Sequence, residues 1–475
     1  MTTTHRTAPV QRAAEPGAGK QVAVIGAGLS GLVAARQLAA SGAQVTVLEA
    51  AARIGGQLRA ATVAGHRVDV GAESVFTAAP GPLHLIEELG LEEELVGANR
   101  ATTWIWTERG LRPLPDGFTP AGPSRLGPVL RSRVLSPLGM LRAGMEPFLP
   151  AARSGNDVAV GAELQRRFGR EVVDRLVDPL LGGLHAGDVR TLSLQAATPQ
   201  LAALTAKHRS LLLRRRPAPS TGPAFVTLAS GMGTMTDRLA ASLPDIEVRL
   251  GTRVSAVTRE GGRLRLSIDG QRCVDVDGVV VATSAVVARE LLSEGSPAAA
   301  AALGQLRAAS VVVAALAYPT RANEVAAIAG GTGILVPSTS PRLLKAATFL
   351  STKWPHHAGA DHVLIRASAG RAGDDRAIEL DDGPLVDRLH RELAEATGLD
   401  VEPVDVTVQR WPRTMPQLEV GHHQRLATIR SALARDLPGV VVAGAPYHGP
   451  GLSSCLRSAS GAAMTLTTAL QETHA

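Results

Sequence analysis

The sequence predicts an α/β fold: a Rossmann-like, dinucleotide-binding domain interleaved with an α+β second domain that includes a helical insertion. Three observations lead there. The turn Gly26-Ala-Gly28-Leu29-Ser30-Gly31 joins the apolar run Gln21–Ile25 to a helical stretch over 30–40, and Glu49 closes the next apolar run twenty-three residues after Gly26. Two more unbroken apolar runs, 278–282 and 439–443, read as buried strands that rejoin the first sheet from far along the chain. Between these runs lie long segments patterned differently, first helical and then β-rich.

Each part of the first segment, 21–76, has a physical reason. The first glycine permits the tight turn, the second lets backbone approach a pyrophosphate, and the third allows helix and strand to pack closely. The helix N-terminus, with Leu29 and Ser30, faces the phosphate charge, and Glu49 accepts hydrogen bonds from a ribose. Arg53-Ile-Gly55-Gly56 then places a cation and a second flexible pair within reach of the same pyrophosphate. A nicotinamide domain does not require that second element, so FAD is the dinucleotide expected. The pattern Glu-x-x-x-Arg-x-Gly-Gly resembles the signature of amine oxidase-like flavoproteins. In Val68-Asp69-Val-Gly71-Ala72-Glu73-Ser74 the glycine suits a chain passing under the flavin ring, and Asp69, Glu73 and Ser74 are candidate site groups.

Residues 77–217 follow as the first part of the substrate domain. Pro-rich connections at 112–128 and 216–223 bracket helices expected at 162–176 and 195–213. The second FAD segment, 218–290, carries a helix at 234–243 and β structure over 247–269. The second part of the substrate domain, 291–435, has strands at 310–314, 333–337 and 362–366 and a helix at 385–397. The third FAD segment, 436–475, ends in a strand, the turn Gly444-Ala-Pro-Tyr447-His-Gly449-Pro-Gly451-Leu452-Ser453, and a helix over 452–470. Its glycines let amides approach the flavin, and the last helix N-terminus stabilises negative charge there. Tyr447 is either a pocket wall or a core aromatic.

Composition excludes several classes. No apolar stretch is long enough to cross a bilayer, and residues 1–20 lack the apolar centre of a secretory signal, so they read as a disordered leader of a cytoplasmic protein. Cys273 and Cys455 have no CxxC partner, which suggests reduced thiols, and Cys455 lies inside a helix as a small buried thiol. His422 and His423 are adjacent and point apart on a helix, so no metal is expected. The net charge of +6 is nearly all arginine; the only dense basic run, Arg214-Arg215-Arg216, lacks interleaved aromatics, and no nucleic-acid partner is expected.

A wider resemblance then covers residues 20–470. Its carriers are Arg112-Pro-Leu-Pro-Asp-Gly117, Asp178-Pro-Leu-Leu-Gly-Gly183-Leu-His-Ala-Gly187-Asp188 with Leu192-Ser193, and Gly231-Met-Gly233. To these add Gly333-Ile-Leu-Val-Pro337, Ala347-Thr-Phe-Leu-Ser-Thr-Lys-Trp-Pro-His356, Arg366 with Gly370-Arg-Ala-Gly-Asp374, and Arg410-Trp-Pro-Arg-Thr-Met-Pro416-Gln before Val420-Gly-His. Together they are similar to the protoporphyrinogen and coproporphyrinogen III oxidases, in the soluble form of Gram-positive bacteria.

That resemblance implies noncovalent FAD, molecular oxygen as acceptor, and a cyclic porphyrinogen held between the flavin and the insertion. It adds Ala50, Ala72, Val254, Leu452 and Ser453 to the cofactor contacts. Gly183 and the strands of Leu335 and Phe349 would line the macrocycle pocket, although apolar strand residues such as these two serve equally as sheet core. Hydride loss from a bridge carbon leaves a cation shared by two pyrroles, whose N–H then releases its proton readily. No strong base is required and no catalytic residue is assigned; the protein supplies geometry. Three such steps yield the aromatic porphyrin and hydrogen peroxide.

The propionate anchors stay open. Where some relatives carry a cation this chain has Thr77-Ala78-Ala79 and Thr102-Thr103, with Arg100 nearest and Lys207, Arg209, Lys345 and Lys353 as further candidates. Coproporphyrinogen III is preferred as substrate over protoporphyrinogen IX, because Lys353-Trp-Pro-His and the 415–422 region resemble the Gram-positive form. An amine oxidase or desaturase is disfavoured by the presence of only two tyrosines, Tyr318 and Tyr447. A tetrapyrrole carrier without turnover is the reading from another class. Handover to a ferrochelatase and peripheral contact with a membrane remain analogies.

Overall fold

Strand Gln21–Ile25 is central to a five-stranded parallel sheet because neither of its faces meets water. The computed structural model describes residues 19–119, 122–123, 125–150, 156–214, 222–270 and 272–472. Residues 1–18 of the expected leader, and Arg215 and Arg216 of the basic run, lie outside them. Gln21–Ile25 pairs with Gln44–Leu48 on one side and Gly278–Val281 on the other, and Glu247–Arg249 and Val440–Val442 form the edges. The sheet thus draws its strands from three stretches of chain separated by long excursions.

Helices Leu29–Ala40, Gly233–Ala241 and Leu452–Glu472 cover one face of this sheet. Leu85, Ile86 and Leu91, from helix Pro80–Glu88 and the turn after it, join the same core, so the packing of the first segment continues beyond residue 76. The other face carries an antiparallel sheet, Val254–Glu260, Arg263–Ile268 and Arg272–Val276, with helices Ala285–Leu292, Pro297–Leu303 and His422–Asp436.

A second, seven-stranded sheet runs in the order Asp405–Pro416, Ala308–Pro319, His362–Ala369, Leu344–Phe349, Gly331–Leu335, Thr102–Thr107, Gly110–Pro113. All neighbours are antiparallel except Gly331–Leu335 with Thr102–Thr107. Residues 112–113, expected in a connection, therefore belong to its edge strand. Helix Asp382–Thr397 seals one face over Leu344, Ala347, Phe349 and Ile365. The opposite face looks toward the nucleotide sheet and the insertion.

The insertion is helical, but not in the two long helices that apolar spacing suggests. Helix Val160–Phe168 stops at Gly169, whose φ is +90°, and its last carbonyls are satisfied by Arg142, which donates to Arg167 O at 2.9 Å and Arg166 O at 2.6 Å. The chain resumes at Arg170–Val172 and passes into a wide π-type helix, Val173–Gly182, that accommodates Pro179. Farther on, Leu194–Ala197 and Pro199–Lys207 are separate because Pro199 disfavours helical geometry at Thr198, and the helix ends at Lys207, short of residue 213.

Arg167 is the insertion's buried keystone. It donates to Glu163 at 2.6 Å and to Glu146 at 3.0 Å, and all three side chains are almost fully buried. Arg167→Ala leaves Glu146 without its cation, while Glu163 keeps Arg166 at 3.0 Å, and we expect a loss of about 3–5 kcal/mol in the stability of the insertion. A lower melting temperature and earlier proteolytic cleavage within residues 126–214 would check it.

Candidate functional site

The nucleotide crevice is shaped by backbone approaching backbone. Gly26 has φ +105°, and a Cβ on Gly31 would stand 1.9 Å from Gly26 O, so only glycine lets the helix start against the turn. The second glycine turn docks directly on the first: Gly55 N donates to Ala27 O at 2.9 Å, and a Cβ on Gly56 would lie 3.2 Å from Gly28 Cα. Helix Leu29–Ala40 has no side-chain cap on its N-terminus, leaving the amides around Leu29 and Gly31 for an anion. Glu49 is held by Ala27 N at 2.7 Å and Ala51 N at 2.8 Å, one on each oxygen, and each oxygen retains a lone pair for a ribose hydroxyl. Ala50 beside it is exposed, and the turn before strand Val254–Glu260 holds this stretch through Gly251 N to Ala51 O at 3.0 Å and Thr252 N to Glu49 O at 2.8 Å, with Val254 itself buried in the core. These features fit an adenine dinucleotide.

Two of the expected phosphate-binding side chains also bond within the protein. The Arg53 guanidinium donates to Ile54 O at 2.9 Å and Gly56 O at 2.6 Å, so it closes the second glycine turn. Ser30 Oγ turns to Cys455 O at 3.2 Å, tying the first helix to the last.

The segment 69–74 is clamped from four sides. Asp69 accepts Met232 N at 3.0 Å, Val70 O accepts Trp411 Nε1 at 2.8 Å, and Gly71 O accepts Arg366 at 2.8 Å. Buried Glu73 takes Lys353 Nζ at 2.7 Å, Trp354 Nε1 at 2.9 Å and Arg366 at 3.4 Å. Burial alone would raise the Glu73 pKa, yet Lys353, Arg366 and these hydrogen bonds hold it near 2. Gly71 is glycine because a Cβ there would meet Gln57 O at 1.9 Å, where two stretches of chain cross. The amides of Gly71 and Ala72 are likewise committed, to Arg59 O at 3.2 Å and Gln57 O at 3.0 Å. What this segment can present to a flavin is a fixed, half-buried backbone surface.

Cross-strand pairing decides which expected pocket residues face the site. Leu335 pairs with Ala346 and Thr348 with Arg366, so these four share the face turned toward segment 69–74. All are half-buried. Phe349 points the other way, fully buried beneath helix Asp382–Thr397, and is core instead of wall. Gly183 opens the short helix after the π-type turn, and its carbonyl accepts Lys345 Nζ at 3.3 Å, which brings the insertion onto the sheet face. Gln417 Nε2 to His185 O at 3.0 Å and Ala372 N to Ala186 O at 2.8 Å hold that turn in place.

The expected glycine-rich turn contains a short helix, Ala445–His448, between Gly444 and Gly449. Gly444 lies against Ser30, within 4 Å of where its Cβ would be, and Gly451, Leu452 and Ser453 open the last helix. Tyr447 packs in the core on the far face of the nucleotide sheet, and its buried hydroxyl has no partner among the described residues. Lys353 is consumed by Glu73. Lys207 and Arg209 are exposed on the insertion. Arg100 lines an open cleft of about 760 Å³ with Thr103, Asp116 and Arg131. Sequence reasoning did not see the partnership of Glu73 with Lys353, Trp354 and Arg366; its signals were that Glu73 stood among the candidate site groups and that the other three lie in segments that carry the family resemblance.

Two outcomes test this geometry. Gly31→Ala forces the helix off the turn, and we expect a purified protein without flavin absorbance. Asp69 is pushed up to about 7, first by burial and then by Glu73, against the Met232 amide. Its folded pKa lies above the unfolded value of 3.8, so ionisation costs stability progressively as pH rises between those values. Asp69→Asn removes that cost, and the fall in melting temperature between about pH 4 and pH 7 should shrink.

Comparison with known proteins agrees with the crevice. The model of the flavin-containing amine oxidoreductases matches residues 29–467. A coproporphyrinogen III oxidase of Bacillus subtilis (strain 168) is 32% identical over 453 residues, covering 92% of this chain and 96% of that protein. A second, from Mycobacterium leprae (strain TN), is 34% identical over 447 residues, with 92% and 96% covered. The crystal structure of an Exiguobacterium sp. 255-15 protein, provisionally assigned as a protoporphyrinogen oxidase, matches with a TM-score of 0.86 at 29% identity, over 94% of this chain and 99% of that one. The chain belongs to the flavin-containing amine oxidoreductase family, and within it to the protoporphyrinogen and coproporphyrinogen III oxidases.

Proposed function

We propose that this protein oxidises coproporphyrinogen III to coproporphyrin III in haem biosynthesis, using noncovalent FAD and molecular oxygen and releasing hydrogen peroxide. The observation that supports this most is the meeting of the nucleotide crevice with the half-buried sheet face at Gly71 and Ala72. Bound in the crevice, FAD supplies a two-electron acceptor and passes the electrons to oxygen.

The chain's own residues supply position. Glu49 takes the ribose, the amides at the start of helix Leu29–Ala40 take the pyrophosphate, and the opening of helix Leu452–Glu472 lies by the ring system. Leu335, Ala346 and Thr348 give a flat, mostly aliphatic surface for a macrocycle, and the Gly183 turn closes it from the insertion. Each bridge of a porphyrinogen is activated by its own two pyrroles, so orientation and exclusion of water are what the protein must add. Burial pushes the Cys455 thiol up to about 11, which keeps it protonated and supports a cofactor held without a covalent bond.

Among the described residues no helix is long and apolar enough to cross a membrane. A cytoplasmic site of action, peripheral membrane contact and product handover to a ferrochelatase rest on the resemblance and belong to this same proposal. Mixing the purified, yellow protein with coproporphyrinogen III in air should give rising porphyrin fluorescence, with three molecules of hydrogen peroxide per porphyrin. Equal or faster turnover of protoporphyrinogen IX would reverse the substrate choice, and failure to bind FAD would refute the reading altogether.

A further inference from the structure

Lys345 occupies a β-bulge. Leu344 pairs with Ala369 and Ala346 with Ser368, so Lys345 is the extra residue of its strand. Bulges re-aim side chains, and this one sends an ammonium into the junction between the sheet face and the insertion. The side chain is buried, with 6% of its surface exposed, and its one hydrogen bond among the described residues is that to Gly183 O. An ammonium has three donors, and no carboxylate lies within ion-pair reach of this one among the described residues.

Its charged neighbours make matters worse. Burial, then Arg366, then Arg371, pull the Lys345 pKa down to about 7. Arg366 spends its terminal nitrogens on Glu73 and Gly71, while its buried Nε has no partner among the described residues. Arg371 donates to Val336 O at 2.7 Å. On the facing helix Asp178 is engaged by Ser338, through N at 2.6 Å and Oγ at 2.8 Å. Three cationic groups therefore converge beside Leu335 and Gly183; Glu73 is paired with Arg366, and Asp178 and Asp374 face Arg371, but none of these carboxylates is paired with Lys345 among the described residues. A buried lysine so placed destabilises the fold, and an apolar side chain would pack there at lower cost.

We propose that Lys345, with the guanidiniums of Arg366 and Arg371, forms a carboxylate subsite that receives one propionate of the tetrapyrrole. The inference rests on the porphyrinogen reading above and names the part of the chain that recognises the substrate's charge. A propionate reaching this junction gives Lys345 its missing ion pair and an acceptor for the Arg366 Nε. The ring it belongs to then lies along Leu335, Ala346 and Thr348.

The test measures binding, not turnover. The FAD-loaded protein and its Lys345→Met variant are titrated with coproporphyrin III and with coproporphyrin III tetramethyl ester, which keeps the ring and loses the anions. Loss of one charge-assisted contact should weaken binding of the acid about 10- to 100-fold in the variant and leave the ester unchanged. The variant's melting temperature at pH 7 should equal or exceed that of the parent. Equal weakening of both ligands, no change for either, or a variant that unfolds would each overturn the subsite, the last by showing that Lys345 merely holds the Gly183 turn. A parent protein that binds FAD but neither porphyrin would overturn the porphyrinogen reading itself, and the subsite with it.

Discussion

A buried carboxylate, that of Glu73, ties the two halves of the molecule together. It lies on the chain that leaves the nucleotide crevice, and its three partners, Lys353, Trp354 and Arg366, all belong to the seven-stranded sheet region. Taking a charge out of water is costly, and only two cations and an indole N–H in good geometry offset it. Because all four groups must be in place at once, the ion cluster works as a register pin: segment 69–74 has one position against the sheet. Everything proposed for the site depends on that position, since a ring lying on this segment also fixes which sheet residues it meets.

Asp69, four residues earlier on the same segment, illustrates the opposite balance. It accepts the backbone hydrogen bond of Met232, but among the described residues its burial is not matched by a close ion pair, and its carboxyl is raised instead of lowered. The insertion repeats the first solution on its own scale, with Arg167 between Glu146 and Glu163. Lys345 follows neither pattern. It is a buried charge for which the chain offers a carbonyl and two more cations, and this imbalance is what marks the sheet face as incomplete without a ligand.

Much of the fold was legible because its signals are local. The turn from Gly26 to Gly31 and the valine-rich strands carry their own instructions: a positive φ, a close approach, a run buried on both faces. Helix His422–Asp436 also left a mark, with Leu426, Ile429 and Leu433 three and four residues apart, although its many charges mask it. Strand Asp405–Pro416 hid behind two prolines and three charged side chains, and it exists because Ala308–Pro319 offers a long edge to pair with. Leu335 and Phe349 were indistinguishable in sequence. Strand alternation says that two faces differ, but which one is sealed was decided by helix Asp382–Thr397 packing over Phe349.

By itself the sequence determined the nucleotide crevice and the family, because glycine spacing, strand runs and the acid Glu49 act within a few tens of residues and need no distant partner. Tertiary structure alone decided what each charged group does. Arg53 folds onto its own turn, Lys353 is taken by Glu73 from 280 residues away, and Lys345 is left facing the site. The physical reason is that a charge is defined by what surrounds it after burial, and those surroundings come from segments that meet only when the chain has folded.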